Sequence, residues 1–382
     1  MWGVDLAQDP VRWRMVAISR RAVLAALASS GMAPQSVFAQ TETRPLRQIA
    51  ASKGILFGAA VLASQLKETQ FASALARECS LLVPENEMKW NRVEEQRGKR
   101  NFTPADDIVN FAKTHNQQLR GHPLLWWHKG FPAWFSQAAG VEGAEPLIRR
   151  HIENMCLHFQ APIVCWDVVN EAVEDDETRP NLLRSNGLWP DDLGLEYIDL
   201  AFHVAHAAAP NIQLIYNDNE TEHGGRKHIE KRKKVLKLLA GFRKRNIPVD
   251  GVGLQAHLNA KLNLDEKEFQ AFIHEIADMN YVIHITELDV NDGSIVGDIA
   301  ARDKAVAELT RCFLNAALDE HKVQQLLTWG LSDKHTWLRE DKTKLPKDGL
   351  QRPLPLDDQF RPKPMMAAIR EALLATTDRR AR

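Results

Sequence analysis

The chain has 382 residues, of which 44% are apolar and 26% are charged, and its formal net charge is −1. This length allows one large domain or two ordinary ones. The near-zero charge excludes the general attraction to nucleic acid or to an anionic membrane that a strongly basic chain has. Ten tryptophans stand against three tyrosines. Several of these tryptophans lie beside His, Asn or Glu, which indicates a surface for a flat ligand.

The first forty residues differ in pattern from the rest. Ser19-Arg20-Arg21-Ala22-Val23-Leu24 is a twin-arginine pattern, followed by a moderately apolar run that is too short to span a bilayer. Val37-Phe38-Ala39 then places small residues where signal peptidase cleaves. We therefore predict a twin-arginine signal peptide over residues 1–39, with Met15 as a possible start, and an exported mature chain (periplasmic or secreted) over residues 40–382. The alternative is a disordered or helical N-terminal arm.

Apolar runs alternate with helical patterns along the remaining chain. The predicted strands are 55–60, 80–84, 118–125, 163–171, 213–217, 250–257, 281–287 and 324–329. The predicted helices are 71–78, 106–116, 144–158, 193–209, 227–245, 266–279, 300–318 and 365–374. This alternation indicates an α/β fold with a parallel sheet, and its eight repeats favour a closed (β/α)8 TIM barrel over an open doubly wound sheet. Without a linker or an internal repeat, we expect a single catalytic domain.

The stretch 226–245 is rich in Lys and Arg. As a helix it has an apolar stripe of Ile229, Val235, Leu236, Leu239 and Phe242 opposite the charges. This pattern is typical of an outer barrel helix with a solvated charged face. A nucleic-acid or membrane patch is the alternative.

Neither the cysteines nor the histidines have the spacing of a metal site. Cys79, Cys156, Cys165 and Cys312 show no CxxC pattern and no His partner at ligand spacing, although a disulfide stays open. His203 and His206 have no acidic or Cys partner nearby in sequence. We therefore expect no metal and no cofactor.

Two predicted strands end in a glutamate. Asn170 and Glu171 follow an apolar, β-branched run, and Glu287 ends a second such run. A carboxylate there is costly to bury unpaired. A lone Asn-Glu pair could simply cap the next helix, but two such ends predict two carboxylates converging at the carboxyl ends of barrel strands. Paired carboxylates are the equipment for cleaving glycosidic bonds.

The other strand ends also carry hydrogen-bonding or flat aromatic groups. Strand period two places Gln255 with His257 on one face, and Glu287 with Asp289 on one face. The full set adds Glu85, Asn86, Lys89, His122, Trp126, Trp127, Tyr216, Asn217, Asp218, Trp329 and Trp337. Any one of these could be structural, but their accumulation at the same barrel end predicts a binding cleft.

These pieces together resemble the endo-β-1,4-xylanases of glycoside hydrolase family 10. The matching segments stand in family order over essentially the whole mature chain. They are Glu85-Asn86-Glu87-Met88-Lys89-Trp90, Arg120-Gly121-His122, 166–171, Tyr216-Asn217-Asp218, 250–257, Ile285-Thr286-Glu287-Leu288-Asp289 and Trp329-Gly330.

The resemblance implies a retaining double displacement with Glu171 as acid/base and Glu287 as nucleophile. His257 and Asp289 would support Glu287, and Asn170 would bind the sugar 2-hydroxyl. A retaining mechanism needs a carboxyl separation of about 5–5.5 Å. Sugar binding on the non-reducing side would fall to Glu85, Asn86, Lys89, His122, Trp126, Asn170, Gln255, Trp329 and Trp337, and Tyr216 would bind the leaving-group side.

The resemblance also implies xylan and xylo-oligosaccharides as substrates. We expect a monomer with no nucleic-acid partner, no membrane partner for the mature chain, no metal and no cofactor. Two rival functions are a barrel β-1,4-glucanase with the same acid pair and a non-catalytic carbohydrate-binding barrel.

Two departures from the family pattern affect the site. The segment from Gly121 to Pro132 is one residue longer, and Pro123 replaces the usual Thr. Whether Trp126, Trp127 or His128 faces the sugar is therefore open. Asn219 follows Asp218 where the family often has an aromatic, which predicts thinner leaving-group subsites.

Overall fold

The computed structural model describes residues 43–126, 130–184, 194–340 and 349–381. The predicted signal peptide and the possible start at Met15 lie outside these residues, as do Trp127 and His128.

Eight parallel strands of the described residues close into a barrel, which confirms the predicted (β/α)8 fold, and two further short strands pair with the ends of two of the eight. The strands are β1 Leu56–Val61, β2 Leu81–Pro84, β3 Gln118–Gly121, β4 Leu125–Trp126, β5 Ile163–Asn170, β6 Gln213–Asp218, β7 Gly251–Leu254, β8 His257–Asn259, β9 Val282–Asn291 and β10 Val323–Thr328. Closure comes from β10, which pairs with both β1 and β9. The short strands β4 and β8 pair only with the ends of β5 and β9.

Helices surround the barrel and bury an apolar stripe against it. They are α1 Leu46–Ser52, α2 Thr69–Glu78, α3 Trp90–Val93, α4 Thr103–Thr114, α5 Phe135–Glu142, α6 Ala144–His158, α7 Glu196–Ala208, α8 Arg226–Arg245, α9 Glu266–Asp278, α10 Ile299–Asp319 and α11 Pro364–Ala375. The buried faces follow the helical period, as with Phe269, Phe272, Ile273 and Ile276 in α9.

Two predicted strands are interrupted where the site needs the chain to turn. The predicted strand 118–125 splits into β3 and β4 around His122 and Pro123, since proline has no N–H to donate to a ladder. The predicted strand 250–257 splits into β7 and β8 at Ala256, whose φ is +62°.

The basic helix α8 differs from the prediction in its first turns. Val235, Leu239 and Phe242 are buried as expected, but Lys231 and Arg232 are buried too, so part of the basic face is not solvated. These two cations lie inward because they bind Asp218 and loop carbonyls above the strands.

All four cysteines lie in the described part of the chain and are free thiols. No helix of the described residues is both long and apolar enough to cross a bilayer.

Candidate active site

Glu171 and Glu287 belong to one hydrogen-bonded network at the carboxyl end of the barrel. Glu171 directly follows β5, and Glu287 lies within β9. The Asn217 amide links the two sides: it donates 2.8 Å hydrogen bonds to Glu287 Oε1 and to the side-chain oxygen of Asn170, the residue before Glu171. Asn217 therefore links the two sides of the site that carry the glutamates predicted to converge.

Neutral donors surround the carboxylate of Glu171. The indole N–H of Trp126 donates to Oε2 over 2.9 Å, and the amide of Gln255 donates to Oε1 over 2.9 Å. The Asn170 amide approaches Oε1 at 3.3 Å. This environment orients the side chain by three contacts without placing a cation directly on it. Such surroundings suit a group that must hold and release a proton.

The backbone of Glu171 is in the left-handed region, with φ of +57°. Non-glycine residues adopt this conformation rarely, and such residues cluster at functional sites. The N–H of Glu171 donates to the Asn217 carbonyl over 2.9 Å. This turn takes Glu171 out of the strand direction at the end of β5.

Glu287 lies instead beside the imidazole of His257. His257 bridges Glu287 Oε2 at 3.2 Å and Asp289 Oδ1 at 2.9 Å. Burial opposes the charged imidazole, but Asp289 and Glu287 together hold the pKa of His257 well above its ordinary value. Trp337 donates its indole N–H to the other oxygen of Asp289 over 2.8 Å. A protonated His257 can stabilise an ionised Glu287, which is the state that a nucleophile needs.

Asn217 is a strand-end residue whose role in the site the sequence did not predict. Its side chain is fully satisfied, because Thr286 also donates to its oxygen over 2.8 Å. Gly253 on β7 leaves room for it: a Cβ at that position would lie 2.1 Å from the Asn217 oxygen. The available signal was a buried polar residue that follows the apolar run at the carboxyl end of β6.

Lys89 contacts both Asn86 and the Trp126 ring, and Glu85 is close enough to Lys89 to act on its pKa; sugar binding by these residues stays a prediction. Lys89 donates to Asn86 over 2.7 Å, and its ammonium lies 4.7 Å from the centre of the Trp126 ring. Burial lowers the pKa of Lys89, although Glu85, Glu287 and Glu171 oppose that shift. Burial also raises the pKa of Glu85 to about 7. Together these side chains present hydrogen-bond donors, hydrogen-bond acceptors and an aromatic ring face, a combination that suits sugar binding.

His122 and Trp329 form another wall of the site. The His122 Nδ1 lies 2.8 Å from Asp167, which also accepts from the buried Arg120. Burial would raise the pKa of Asp167, but Arg120 and His122 hold it below its usual range. Trp329 packs edge-on to His122 and lies perpendicular to the ring of His257. His122 and Trp329, which directly follow β3 and β10, are therefore in contact at the carboxyl end of the barrel.

Tyr216 is the predicted binding residue that the structure places elsewhere. Its side chain is fully buried and packs against Phe242 of α8, on the outer face of the barrel wall. Its hydroxyl accepts from the backbone N–H of Val173 and donates to Asp218. The prediction of direct sugar contact is therefore corrected. Strand alternation is the reason, since Asn217 and not Tyr216 faces the barrel interior.

The sequence model of glycosyl hydrolase family 10 matches residues 45–372. The chain belongs to glycosyl hydrolase family 10. This finding confirms the resemblance drawn from the strand-end motifs.

Three similar proteins represent this family 10 relationship. Endo-1,4-beta-xylanase B of Thermotoga neapolitana is 30% identical over 305 residues, which cover 80% of this chain and 83% of that protein. Exoglucanase XynX of Acetivibrio thermocellus is 31% identical over 336 residues, and the match covers 84% of this chain but only 29% of XynX. The crystal structure of xylanase 10B from Thermotoga petrophila in complex with xylobiose has a TM-score of 0.76 at 30% identity, covering 87% of this chain and 98% of that one.

A cavity of about 290 Å³ opens beside His257 and Asp289 in this family 10 barrel. Asn219 contributes an amide to its wall, at the position that departs from the family pattern. The described lining also includes Glu220, His223, Asn259, Asn291 and Trp337. Leu258, Leu262 and Leu338 complete the lining, so hydrogen-bonding and apolar side chains share it and Trp337 supplies a ring surface.

Proposed function

We propose that this protein is a retaining endo-1,4-β-xylanase that hydrolyses internal linkages of xylan by double displacement. One observation carries the proposal: two glutamates from distant strands share one network but have different neighbours. Glu171 accepts from the neutral Trp126 and Gln255, whereas Glu287 lies 3.2 Å from the imidazole of His257, which also contacts Asp289. Environments that differ in this way assign acid and nucleophile roles to two carboxyl groups.

In the first step, ionised Glu287 attacks the anomeric carbon and the bond to the leaving oxygen breaks. Glu171 gives its proton to that oxygen, which leaves a glycosyl-enzyme ester and an ionised Glu171. In the second step, Glu171 takes a proton from water, whose oxygen attacks the same carbon and frees Glu287. The β configuration is retained, and both carboxyl groups return to their starting states.

The binding groups suit a pyranose without ionic recognition. Lys89, Asn86 and Glu85 provide donors and acceptors for hydroxyls, and Trp126 and Trp329 provide ring surfaces for C–H faces. Asn170 points its amide toward Glu171, where a sugar 2-hydroxyl would accept or donate a hydrogen bond. Such a bond strengthens at an oxocarbenium-like transition state.

The experiment compares initial rates on xylan and on carboxymethyl cellulose. We expect xylan hydrolysis, its loss in Glu287→Ala with xylan binding intact, and severe slowing in Glu171→Gln. Full activity of Glu287→Ala would contradict the mechanism.

A relative named as an exoglucanase keeps β-1,4-glucanase activity as the second candidate, and faster hydrolysis of carboxymethyl cellulose would support it. Tight xylan binding without any hydrolysis would indicate the non-catalytic alternative.

We further propose that the protein is exported through the twin-arginine route and that the mature chain is a monomer. The support is the sequence pattern around Arg20 and Arg21. Because this route carries folded proteins, the four free thiols fit it. Replacing Arg20 and Arg21 with lysine should retain the chain in the cytoplasm in a fractionation experiment.

The oligomeric state is tested by measuring the mass of the mature chain by sedimentation. A monomer mass is expected, and a dimer mass would contradict the proposal.

A further inference from the structure

A closed ring of buried polar groups surrounds one peptide segment just after Glu171. The N–H of Val173 donates to the Tyr216 hydroxyl over 3.2 Å, and the Val173 carbonyl accepts from Lys231 over 2.7 Å. Lys231 forms a 2.8 Å ion pair with Asp218, and Asp218 also accepts from the Tyr216 hydroxyl. We call Tyr216, Asp218 and Lys231 the Val173 clamp.

The clamp is built from groups that are costly to bury. The side chains of Lys231 and Asp218 are both 0% exposed. A buried ion pair contributes little to stability compared with a well-packed apolar alternative, because desolvation offsets the attraction between the charges. Burial and the neighbouring Asp218 raise the pKa of Tyr216 well above its usual value, so the phenol remains a donor. The arrangement therefore mainly fixes the orientation of a backbone segment and adds little to the free energy of unfolding.

The held segment lies two residues after Glu171. Glu171 has a left-handed φ of +57° and is separated from Val173 by a single residue. Its own N–H is held by the carbonyl of Asn217. Three successive residues of β6 therefore bind this part of the chain. Tyr216 and Asp218 belong to the clamp around Val173, and the carbonyl of Asn217 accepts from the N–H of Glu171. A residue in a rarely populated conformation persists only when its surroundings impose it.

We propose that Tyr216, Asp218 and Lys231 are positioning residues that fix the direction from which Glu171 delivers its proton to the leaving group. This inference rests on the proposed function of Glu171 as acid/base. None of the three contacts the Glu171 carboxylate in the described structure, since its carboxylate partners there are Trp126, Gln255 and Asn170. The clamp acts only through the backbone.

The test uses Tyr216→Phe and a series of aryl β-xylobiosides. A dinitrophenyl leaving group departs without protonation, whereas a phenyl group needs the acid. If the clamp aims Glu171, kcat/KM should fall by about 10- to 100-fold on the phenyl substrate and little on the dinitrophenyl one, since small displacements of a catalytic group cost that much. On xylan, kcat should fall while KM stays nearly constant.

Tyr281→Phe is the matched control. Tyr281 is also a fully buried phenol, and it donates to the Leu239 carbonyl over 2.9 Å, away from Glu171. It should lose a similar amount of thermal stability without any change in leaving-group dependence. The double variant Lys231→Met/Asp218→Asn removes the ion pair without leaving one charge buried, and it should reproduce the leaving-group dependence of Tyr216→Phe.

Equal losses on both aryl substrates in Tyr216→Phe, or no loss beyond that of Tyr281→Phe, would overturn the clamp. A wild-type protein that cleaves neither xylan nor any aryl xylobioside would instead overturn the proposed function. The two failures are therefore distinguishable.

Discussion

A 2.8 Å hydrogen bond from Asn217 to Asn170 joins β6 to β5, the strand that precedes Glu171. The second proton of the same amide goes to Glu287 at 2.8 Å. Both protons of one amide group are therefore used between the two halves of the site. This relationship fixes the orientation of the Asn217 amide, and with it the spacing of Asn170 and Glu287.

Asn217→Asp should reduce kcat/KM on xylan by about 10- to 100-fold, because a hydrogen bond to a charged group contributes about 1.5–3 kcal/mol. The new carboxylate would also face Glu287 as a like charge. Steady-state kinetics measures the loss. The control Asn315→Asp changes an exposed residue of α10 and should leave kcat/KM unchanged. Activity of Asn217→Asp within twofold of wild type would contradict the assigned role.

Gly253→Ala should impair the same network sterically. The added Cβ would lie 2.1 Å from the Asn217 oxygen and 2.9 Å from Thr286 Cγ2, so one of them must move. We expect a cost of about 1–3 kcal/mol in unfolding free energy, typical of overpacking, together with reduced kcat. Chemical denaturation and xylan kinetics measure both effects.

Gly140→Ala is the control for that substitution. Gly140 lies in α5, and a Cβ added there would meet no atom within 4 Å beyond its own helix backbone and chain neighbours. Helix propensity predicts a gain of about 0.5–1 kcal/mol. If Gly253→Ala were as stable and active as Gly140→Ala, the close packing around Asn217 would not matter for the site.

His257→Gln should move the acid limb of the kcat/KM profile to higher pH. Protonated His257 favours ionised Glu287, and without it the Asp289 carboxylate disfavours that ionisation. A pH–rate profile on an aryl xylobioside checks the shift. An unshifted acid limb would show that Glu287 does not depend on the imidazolium.

The same variant should show a defined pH dependence of stability. The pKa of His257 is raised in the folded state, well above 6.5. Its contribution to stability is therefore complete below about pH 6.5 and is lost as the pH rises through the folded-state pKa. The difference in unfolding free energy between wild type and His257→Gln should be largest in mild acid and smaller in alkali.

The strand-end sequences predicted the barrel and most of the site because apolar period-two runs and terminal polar residues are local signals. These local signals do not predict which of Tyr216 and Asn217 points into the barrel. Both follow the same apolar run, and only the twist and register of β6 decide which one faces the interior. The buried Lys231 of α8 was equally unpredictable, since its partner Asp218 is remote from the helical pattern that places Lys231 among solvated charges.

Glu85→Gln should remove a pH-dependent loss of stability. The pKa of Glu85 is raised from 4.5 to about 7 by burial, so between those values the folded state holds a proton that the unfolded state has lost. The unfolding free energy then falls as pH rises through that window, by at most about 1.4 kcal/mol per pH unit for one proton. Denaturation at pH 5 and pH 8 should show a smaller decrease in Glu85→Gln than in wild type. An equal decrease in both proteins would contradict the assignment.

The most direct test of the central claim is covalent trapping with an activated 2-deoxy-2-fluoro-β-xylobioside, followed by peptide mapping. A retaining mechanism across Glu171 and Glu287 predicts one sugar per chain, attached to the carboxyl group of Glu287, with loss of xylan hydrolysis in step with labelling. Labelling of another residue, or complete inactivity of the reagent toward a protein that does hydrolyse xylan, would contradict the account.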